Sequence, residues 1–223
     1  MVKIVIFFKR LPGMSVAAFQ EYWRTRHAAL ITGLPGIRRY VQNATLDSAY
    51  RKGEPPFDAV AESWFDDTQA MKTLAGSPQY AAVLADEPNF IDRSTMGSII
   101  TEEHVVKDGQ PGAEAVKSID LVTHKAQMPI DEFFRYWREH HAPLVAAAPA
   151  VRRYVQSHTR RSIYAGGRAP AYDGAAMSWY DSTQALREAA ATPEFARLRE
   201  DVEKFIARER SPFVLARENV VLG

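Results

Sequence analysis

The stretch Phe19-Gln20-Glu21-Tyr22-Trp23-Arg24-Thr25-Arg26-His27-Ala28-Ala29-Leu30 returns 114 residues later as Phe133-Phe134-Arg135-Tyr136-Trp137-Arg138-Glu139-His140-His141-Ala142-Pro143-Leu144. Extended to residues 15–42 against 129–156, 13 of 28 positions are identical, including Arg38-Arg39-Tyr40-Val41-Gln42 and Arg152-Arg153-Tyr154-Val155-Gln156. One inserted residue later the offset is 115, and residues 57–70 meet 172–185 with 8 of 14 identical. A period this long is the size of a small domain, not of a solenoid repeat. The chain therefore reads as one unit duplicated in tandem, at 1–106 and 116–223. The joint at 107–115 contains the polar Gly/Pro run Lys107-Asp108-Gly109-Gln110-Pro111-Gly112, which suits a linker.

Composition narrows the classes. The 223 residues are 46% apolar and 25% charged, with formal net charge +1, ordinary for a soluble globular chain. Residues 1–111 carry net −1 and residues 112–223 net +2, too little for strong attraction to a phosphate backbone, so no nucleic-acid partner is expected. Cysteine is absent. That excludes disulfides, thiolate catalysis and Cys-ligated metals, and fits a cytoplasmic location. The apolar run Val2–Phe8 precedes Lys9-Arg10, the reverse of a signal peptide's order. No window reaches the ~20 apolar residues of a membrane span, so no membrane partner is expected.

Residues 2–8 read as a strand from their β-branched and aromatic content. A helix follows, with Ser15 as N-cap and Val16, Phe19, Trp23, His27 and Leu30 on one stripe; Ile130, Phe133, Trp137, His141 and Leu144 repeat it. Arg38–Ala44 and Phe57–Phe65 read as a strand pair. Asp66 with Gln69, and Asp181 with Gln184, resemble capping boxes. Ser77-Pro78 and Thr192-Pro193 restart the helical region. Ser98–Val106 and Phe213–Val221 close the copies as strands. The order βαββαβ is the ferredoxin-like arrangement. With both helices on one face, each sheet has a bare face. Two such sheets packing together predict an α+β fold, two fused βαββαβ repeats forming a pseudo-dimeric α+β barrel within one chain.

Alternation assigns faces. Val5, Phe7, Ile119 and Leu121 are apolar in both copies, so that parity is expected to face the helices. Ile4, Ile6 and Phe8, matched by Ser118, Asp120 and Val122, are then expected to line the barrel interior. Tyr40, Gln42, Tyr154, Gln156 and His158 are expected to join them, as are Asp58, Glu62, Trp64, Asp173 and Trp179. A space walled by Trp and Tyr with a few acids and amides suits a flat apolar ligand with polar handles.

The motif Phe19-x-x-Tyr22-Trp23-x-x-x-His27-Ala28-x-Leu30, followed by Arg39-Tyr40, Phe57-Asp58 and Trp64-Phe65-Asp66, resembles the EthD family. The second copy matches more fully, with His141-Ala142-Pro143-Leu144, Arg153-Tyr154, Tyr172-Asp173-Gly174 and Trp179-Tyr180-Asp181; the first has Ala29 where the family usually has proline. The resemblance covers both halves. It implies the dimeric α+β barrel fold and a role in degradation or secondary metabolism. Related proteins act as decarboxylases or dehydratases on aromatic polyketides. The wider superfamily holds cofactorless monooxygenases, cyclases, muconolactone isomerases and haem-handling enzymes.

His27 and His141 are candidate general acid/base groups, because imidazole titrates near neutral pH; the structural alternative is a core histidine satisfied by one hydrogen bond. Asp120 stands where the first copy has Ile6. A carboxylate buried there has its pKa raised and suits acid/base work. The catalytic candidates are thus His141, Asp120 and His27. Tyr40, Trp64, Tyr154, His158, Asp173 and Trp179 are the candidate substrate walls. Neighbouring His140 and His141 point ~100° apart on a helix, and no metal motif occurs, so neither metal nor organic cofactor is expected. The reading is a small-molecule enzyme of decarboxylase, dehydratase, isomerase or cyclase type. The alternatives are a haem protein with a helix histidine as axial ligand, and a non-catalytic ligand-binding module. Whether the fused chain pairs again as a homodimer is left open by the sequence.

Overall fold

The computed structural model describes residues 1–51, 53–167 and 169–223. The elements of the first half are β1 (Val2–Arg10), α1 (Val16–Tyr22), α2 (Ala28–Thr32), β2 (Ile37–Thr45), β3 (Ala59–Phe65), α3 (Thr68–Ala75), α4 (Pro78–Asp86) and β4 (Ile91–Lys107). The second half gives β5 (Val116–Val122), α5 (Ile130–Tyr136), α6 (Ala142–Ala147), β6 (Arg153–Thr159), α7 (Arg161–Ala165), β7 (Gly174–Tyr180), α8 (Thr183–Ala190), α9 (Pro193–Phe205) and β8 (Phe213–Leu222). The strands hydrogen-bond in the order β1-β3-β2-β8-β5-β7-β6-β4, which closes on itself as the expected α+β barrel topology.

Two compact units emerge. Unit 1 is Met1–Glu102 with Ala216–Gly223, and unit 2 is Glu103–Leu215. Each unit thus gains a strand end from the other half of the chain. In unit 1 the end of β8 pairs antiparallel with β2, with Gln42 opposite Asn219. The proposed linker begins where β4 ends, at Lys107.

The helix starts follow local chemistry. The Ser15 hydroxyl accepts from Ala18 N at 3.2 Å. Ser77 caps α4 through Tyr80 N at 3.1 Å, with Pro78 in the first turn. Thr192 and Pro193 do the same for α9. The capping-box reading is off by one residue. Asp67 and Ser182 are the caps of α3 and α8, accepting at 2.8 and 3.0 Å. Asp66 and Asp181 instead take two-pronged hydrogen bonds from Arg38 and Arg152. This accounts for the first arginine of each Arg-Arg pair. The second, Arg39 or Arg153, lies over Trp64 or Trp179 at 4.9 and 5.6 Å.

The register corrects the face assignment. Ile4, Ile6 and Phe8 pair with Ser63, Ala61 and Ala59, and Tyr40 and Gln42 with Ser63 and Ala61. Cross-strand partners share a face, and this one is covered by the helices, because Tyr40 and Gln42 bond to Trp23 of the first helical segment. Ser118, Asp120, Val122, Tyr154 and Gln156 lie on the matching face of unit 2. Val5, Phe7, Ile119, Leu121 and Val41 occupy the opposite face, with Glu62, Trp64 and Trp179. The cause is that both faces are buried: Val5 and Ile119 are 0% exposed, and Phe8 and Val122 are 2% and 1%. Apolarity cannot choose a face when neither meets water.

Candidate functional site

In unit 2 the site begins with a change of helical pitch. After α5, residues Trp137–His141 form a π turn, in which Ala142 N–H bonds the Trp137 carbonyl five residues back. Single π turns within helices are rare and concentrate at functional sites. Here the turn buries both Trp137 and His141. The Gln156 side-chain amide, from β6, donates to the same Trp137 carbonyl at 2.9 Å. The indole Nε1–H donates to the Tyr154 hydroxyl at 3.1 Å. Unit 1 builds the same joint from Trp23, Gln42 and Tyr40. Tyr and Gln of each Arg-Arg-Tyr-Val-Gln string therefore serve to fix the π turn.

That turn presents His141 to α9. The ring Nδ1 lies 2.8 Å from Asp201 Oδ2, and Tyr136 donates to Asp201 Oδ1 at 2.6 Å. For Asp201, burial pushes the pKa up, but the hydrogen bonds from Tyr136, His141 and Lys204 outweigh it and hold the carboxyl below its ordinary value. For His141, burial dominates over the Asp201 attraction and the pKa falls below 6.5. At neutral pH the pair is thus carboxylate and neutral imidazole. A carboxylate only accepts, so Nδ1 carries the proton and Nε2 keeps its lone pair. His27, Asp86 and Tyr22 repeat this in unit 1, with 2.9 Å from ring to carboxylate.

A cleft of about 210 Å³ opens between the helices and sheet of unit 2. His141, Asp120 and Tyr154 all line it, with Trp137, Val145, Phe195 and Leu198 among its apolar walls and Arg199 and Arg208 among its polar ones. Asp120, on β5, accepts from Ser118 Oγ at 2.8 Å. Burial lifts its carboxyl above the ordinary value, against the opposing effects of Ser118 and Arg208. Burial also pushes the Tyr154 hydroxyl up to about 12, so it stays protonated at neutral pH. Its oxygen already accepts from Trp137 and Gln156. Its own proton is therefore free to be donated elsewhere. The cleft holds a neutral imidazole, a carboxyl whose burial favours its protonated form, and a hydrogen-bond donor against apolar walls.

The other candidates lie elsewhere. His158 is not among the cleft-lining residues; it stacks on Trp137 at 4.5 Å and on Phe134 at 4.8 Å, and bonds Gln156 through Nε2 at 3.0 Å. Burial, with the nearby charges of His104, Arg138 and Arg161, lowers its pKa to about 2, so it packs as a neutral ring. Asp173 accepts from His124 N and Nδ1 and from Tyr164, closing the start of β7. Asp58 does the same for β3 with Arg10 and Tyr50. Trp64 and Trp179 lie on the sheet face away from the helices, under Lys3 and Lys117 at 4.7 and 4.4 Å. Tyr40 and His27 line a smaller cleft in unit 1, of about 110 Å³.

Sequence reading missed Asp86 and Asp201. The offset of 115 aligns them, along with Pro78 and Pro193, Ala81 and Ala196, and Phe90 and Phe205, in segments that diverge at most other positions. Among the described residues no group of three or more His, Cys, Asp or Glu side chains is placed to hold a metal. No helix among them is long and apolar enough to cross a membrane.

Comparison with known proteins agrees with this architecture. The EthD domain model matches residues 11–94 and again 125–209. No curated protein matches the chain by sequence. Among solved structures, an anthrone oxidase-like protein superposes with TM-score 0.64 at 14% identity, covering 99% of this chain and 92% of its own. A candidate monooxygenase from Fusobacterium nucleatum subsp. nucleatum gives 0.62 at 10% identity, over 99% and 92%. A mutant chlorite dismutase from Candidatus Nitrospira defluvii gives 0.54 at 7% identity, over 97% and 91%. At these identities the likeness is one of fold.

Proposed function

The chain belongs to the EthD family and carries its domain twice, and from that premise we propose that the unit 2 cleft binds a hydroxylated aromatic molecule and moves protons on it. The observation that carries this reading is that His141, backed by Asp201, and the raised carboxyl of Asp120 line one apolar cleft. His141 Nε2 is the base that removes a proton from a substrate hydroxyl or carbon. Asp120, whose burial favours the protonated form, returns a proton at another atom. Tyr154 donates a hydrogen bond to the oxygen on which charge develops, an arrangement worth more in a dry site than in water. Asp201 orients the imidazole and stabilises it when charged, the general logic of a carboxylate behind a histidine.

The walls suggest the substrate. A space of about 210 Å³ lies below the ~300 Å³ at which drug-sized pockets begin, and suits one or two fused rings. Arg199 and Arg208 are exposed residues that also line the cleft, and they favour an anionic or oxygen-rich substituent. Decarboxylation (C–C cleavage releasing CO2), dehydration (C–O cleavage releasing water), isomerisation and cyclisation of such rings each require a proton to be taken from one atom and supplied to another.

The test is the partial reaction common to all four outcomes. The chain is incubated in heavy water with 1,3-dihydroxynaphthalene and with hydroxynaphthoic acids, and ring C–H exchange is followed by proton NMR. Acceleration by the wild-type chain, lost in His141→Ala and Asp120→Asn, supports the assignment. Equal exchange in both variants and wild type refutes it, as does no acceleration with any of the probes.

A further inference from the structure

Unit 1 is not simply a decayed copy of unit 2. Where Asp120 projects from the sheet of unit 2, unit 1 has Ile6; but where α9 has Val202, unit 1 has Glu87, immediately after α4. Glu87 lines the cleft of about 110 Å³ together with His27 and Tyr40. It is 5% exposed. Its Oε2 is buried and makes no hydrogen bond, though it forms an ion pair with Arg93 Nε at 3.4 Å. A buried carboxylate oxygen without a hydrogen bond is costly, and a donor arriving in the cleft would satisfy it. Burial also lifts this carboxyl above its ordinary value, the same direction as Asp120.

We propose that the unit 1 cleft is a second, separate ligand site, in which Glu87 supplies from the helix wall the carboxyl that Asp120 supplies from the sheet wall, and that its ligand is a neutral single-ring phenol. The remaining parts are in place. His27 is held through Nδ1 by Asp86 at 2.9 Å, so Nε2 is an acceptor. The Tyr40 oxygen accepts from Trp23 at 3.1 Å. Ile4, Ile6, Phe8 and Met96 make the sheet side apolar. The position of Arg199 is taken by Leu84, which removes one of the two cationic groups of the unit 2 cleft and favours an uncharged ligand. The smaller volume limits that ligand to about one ring, on the scale of the ~150 Å³ apolar cavity that admits benzene. A phenol fits because its hydroxyl supplies one donor, for either Glu87 or His27, on an otherwise apolar ring. The proposal does not require His141 to be a base, so it stands or falls apart from the chemistry assigned to unit 2.

The experiment titrates 4-fluorophenol into the intact chain and follows bound fluorine signals by NMR. The expected result is two bound signals. Glu87→Gln weakens one of them roughly tenfold or more, the loss expected when a charged acceptor becomes a neutral amide, and leaves the other. Ala61→Leu, which fills the unit 1 cleft from β3, removes the same signal. Asp120→Asn alters only the other. Thermal unfolding of each variant identifies any that fails to fold; should Glu87→Gln be one, Ala61→Leu decides. A single bound signal sensitive only to Asp120→Asn overturns the proposal. So do two signals that neither unit 1 variant changes.

Discussion

Replacing Asp201 by asparagine tests whether the carboxylate sets the tautomer of His141. Asp201 accepts from His141 Nδ1 at 2.8 Å and from Tyr136 Oη at 2.6 Å, with Lys204 Nζ at 3.1 Å. Asparagine has one accepting oxygen, and its NH₂ must face one of two donors. If the NH₂ faces the histidine, the ring proton moves to Nε2, and the cleft nitrogen turns from acceptor to donor. The energetic cost follows from two buried hydrogen bonds. A bond to a charged group contributes about 1.5–3 kcal/mol and a neutral one about 0.5–1.5. Two such downgrades cost about 2–3 kcal/mol; exposed Lys204 adds little. For a chain of this size, ~1 kcal/mol lowers Tm by about 2–4 °C, so a fall of roughly 4–12 °C is expected. Long-range nitrogen–proton correlation NMR reads the tautomer, and calorimetry reads the stability. A variant that keeps the Nδ1-protonated ring and melts within about 1 °C of wild type would refute the reasoning.

Three further outcomes are expected. A Cβ at Gly174 would stand 2.5 Å from the Ser157 carbonyl oxygen and 2.7 Å from the Trp137 ring, so Gly174→Ala should destabilise by about 1–3 kcal/mol. Because unit 1 has Ala59 and Ala44 where unit 2 has Gly174 and His158, the double variant with His158→Ala should recover part of that loss. Denaturant titration of the four proteins checks this, and additivity within ~0.5 kcal/mol would deny the coupling. The folded pKa values of His27 and His141 lie below 6.5, so the unfolded chain binds more protons in that window. Stability should therefore fall as pH drops below 6.5, and midpoints that stay flat there would show that burial does not outweigh the aspartates' attraction. Asp120 has the opposite sign: its folded value lies above 3.8, so its contribution is complete below that value and is lost as pH rises through the folded pKa. Asp120→Asn should accordingly gain stability relative to wild type as pH rises above 3.8, read from the difference in Tm with pH.

The duplication, the element order and the late-helix histidines were legible because each rests on local pattern or on direct repetition. Asp120 stood out because a carboxylate replaced isoleucine in register. The sheet faces were not legible: Val5 and Phe8 are equally buried on opposite sides, so alternation carried no sign. Asp201 was hidden for a different reason. It lies sixty residues from His141 in a surface-rich helix, and only its alignment with Asp86 marks it. The π turn left no trace either, since Trp137 and His141 are four apart, the spacing an ordinary helix also puts on one face. Asp173 looked like a pocket acid and is a clamp at a strand start, a role decided by His124 and Tyr164 from distant segments.

The extra residue wound into each first helix carries a chronology. Trp23–His27 and Trp137–His141 bulge at matched positions, and each bulge is clasped by a glutamine from the equivalent strand. Two independent insertions, each with its own clasp, would be a costly coincidence. The bulge was therefore part of the ancestral half-length chain before it doubled. The acids divide the other way: Asp120 has no counterpart at Ile6, nor Glu87 at Val202. The imidazole and its carboxylate are common to both halves, whereas the second acid stands on a different wall in each.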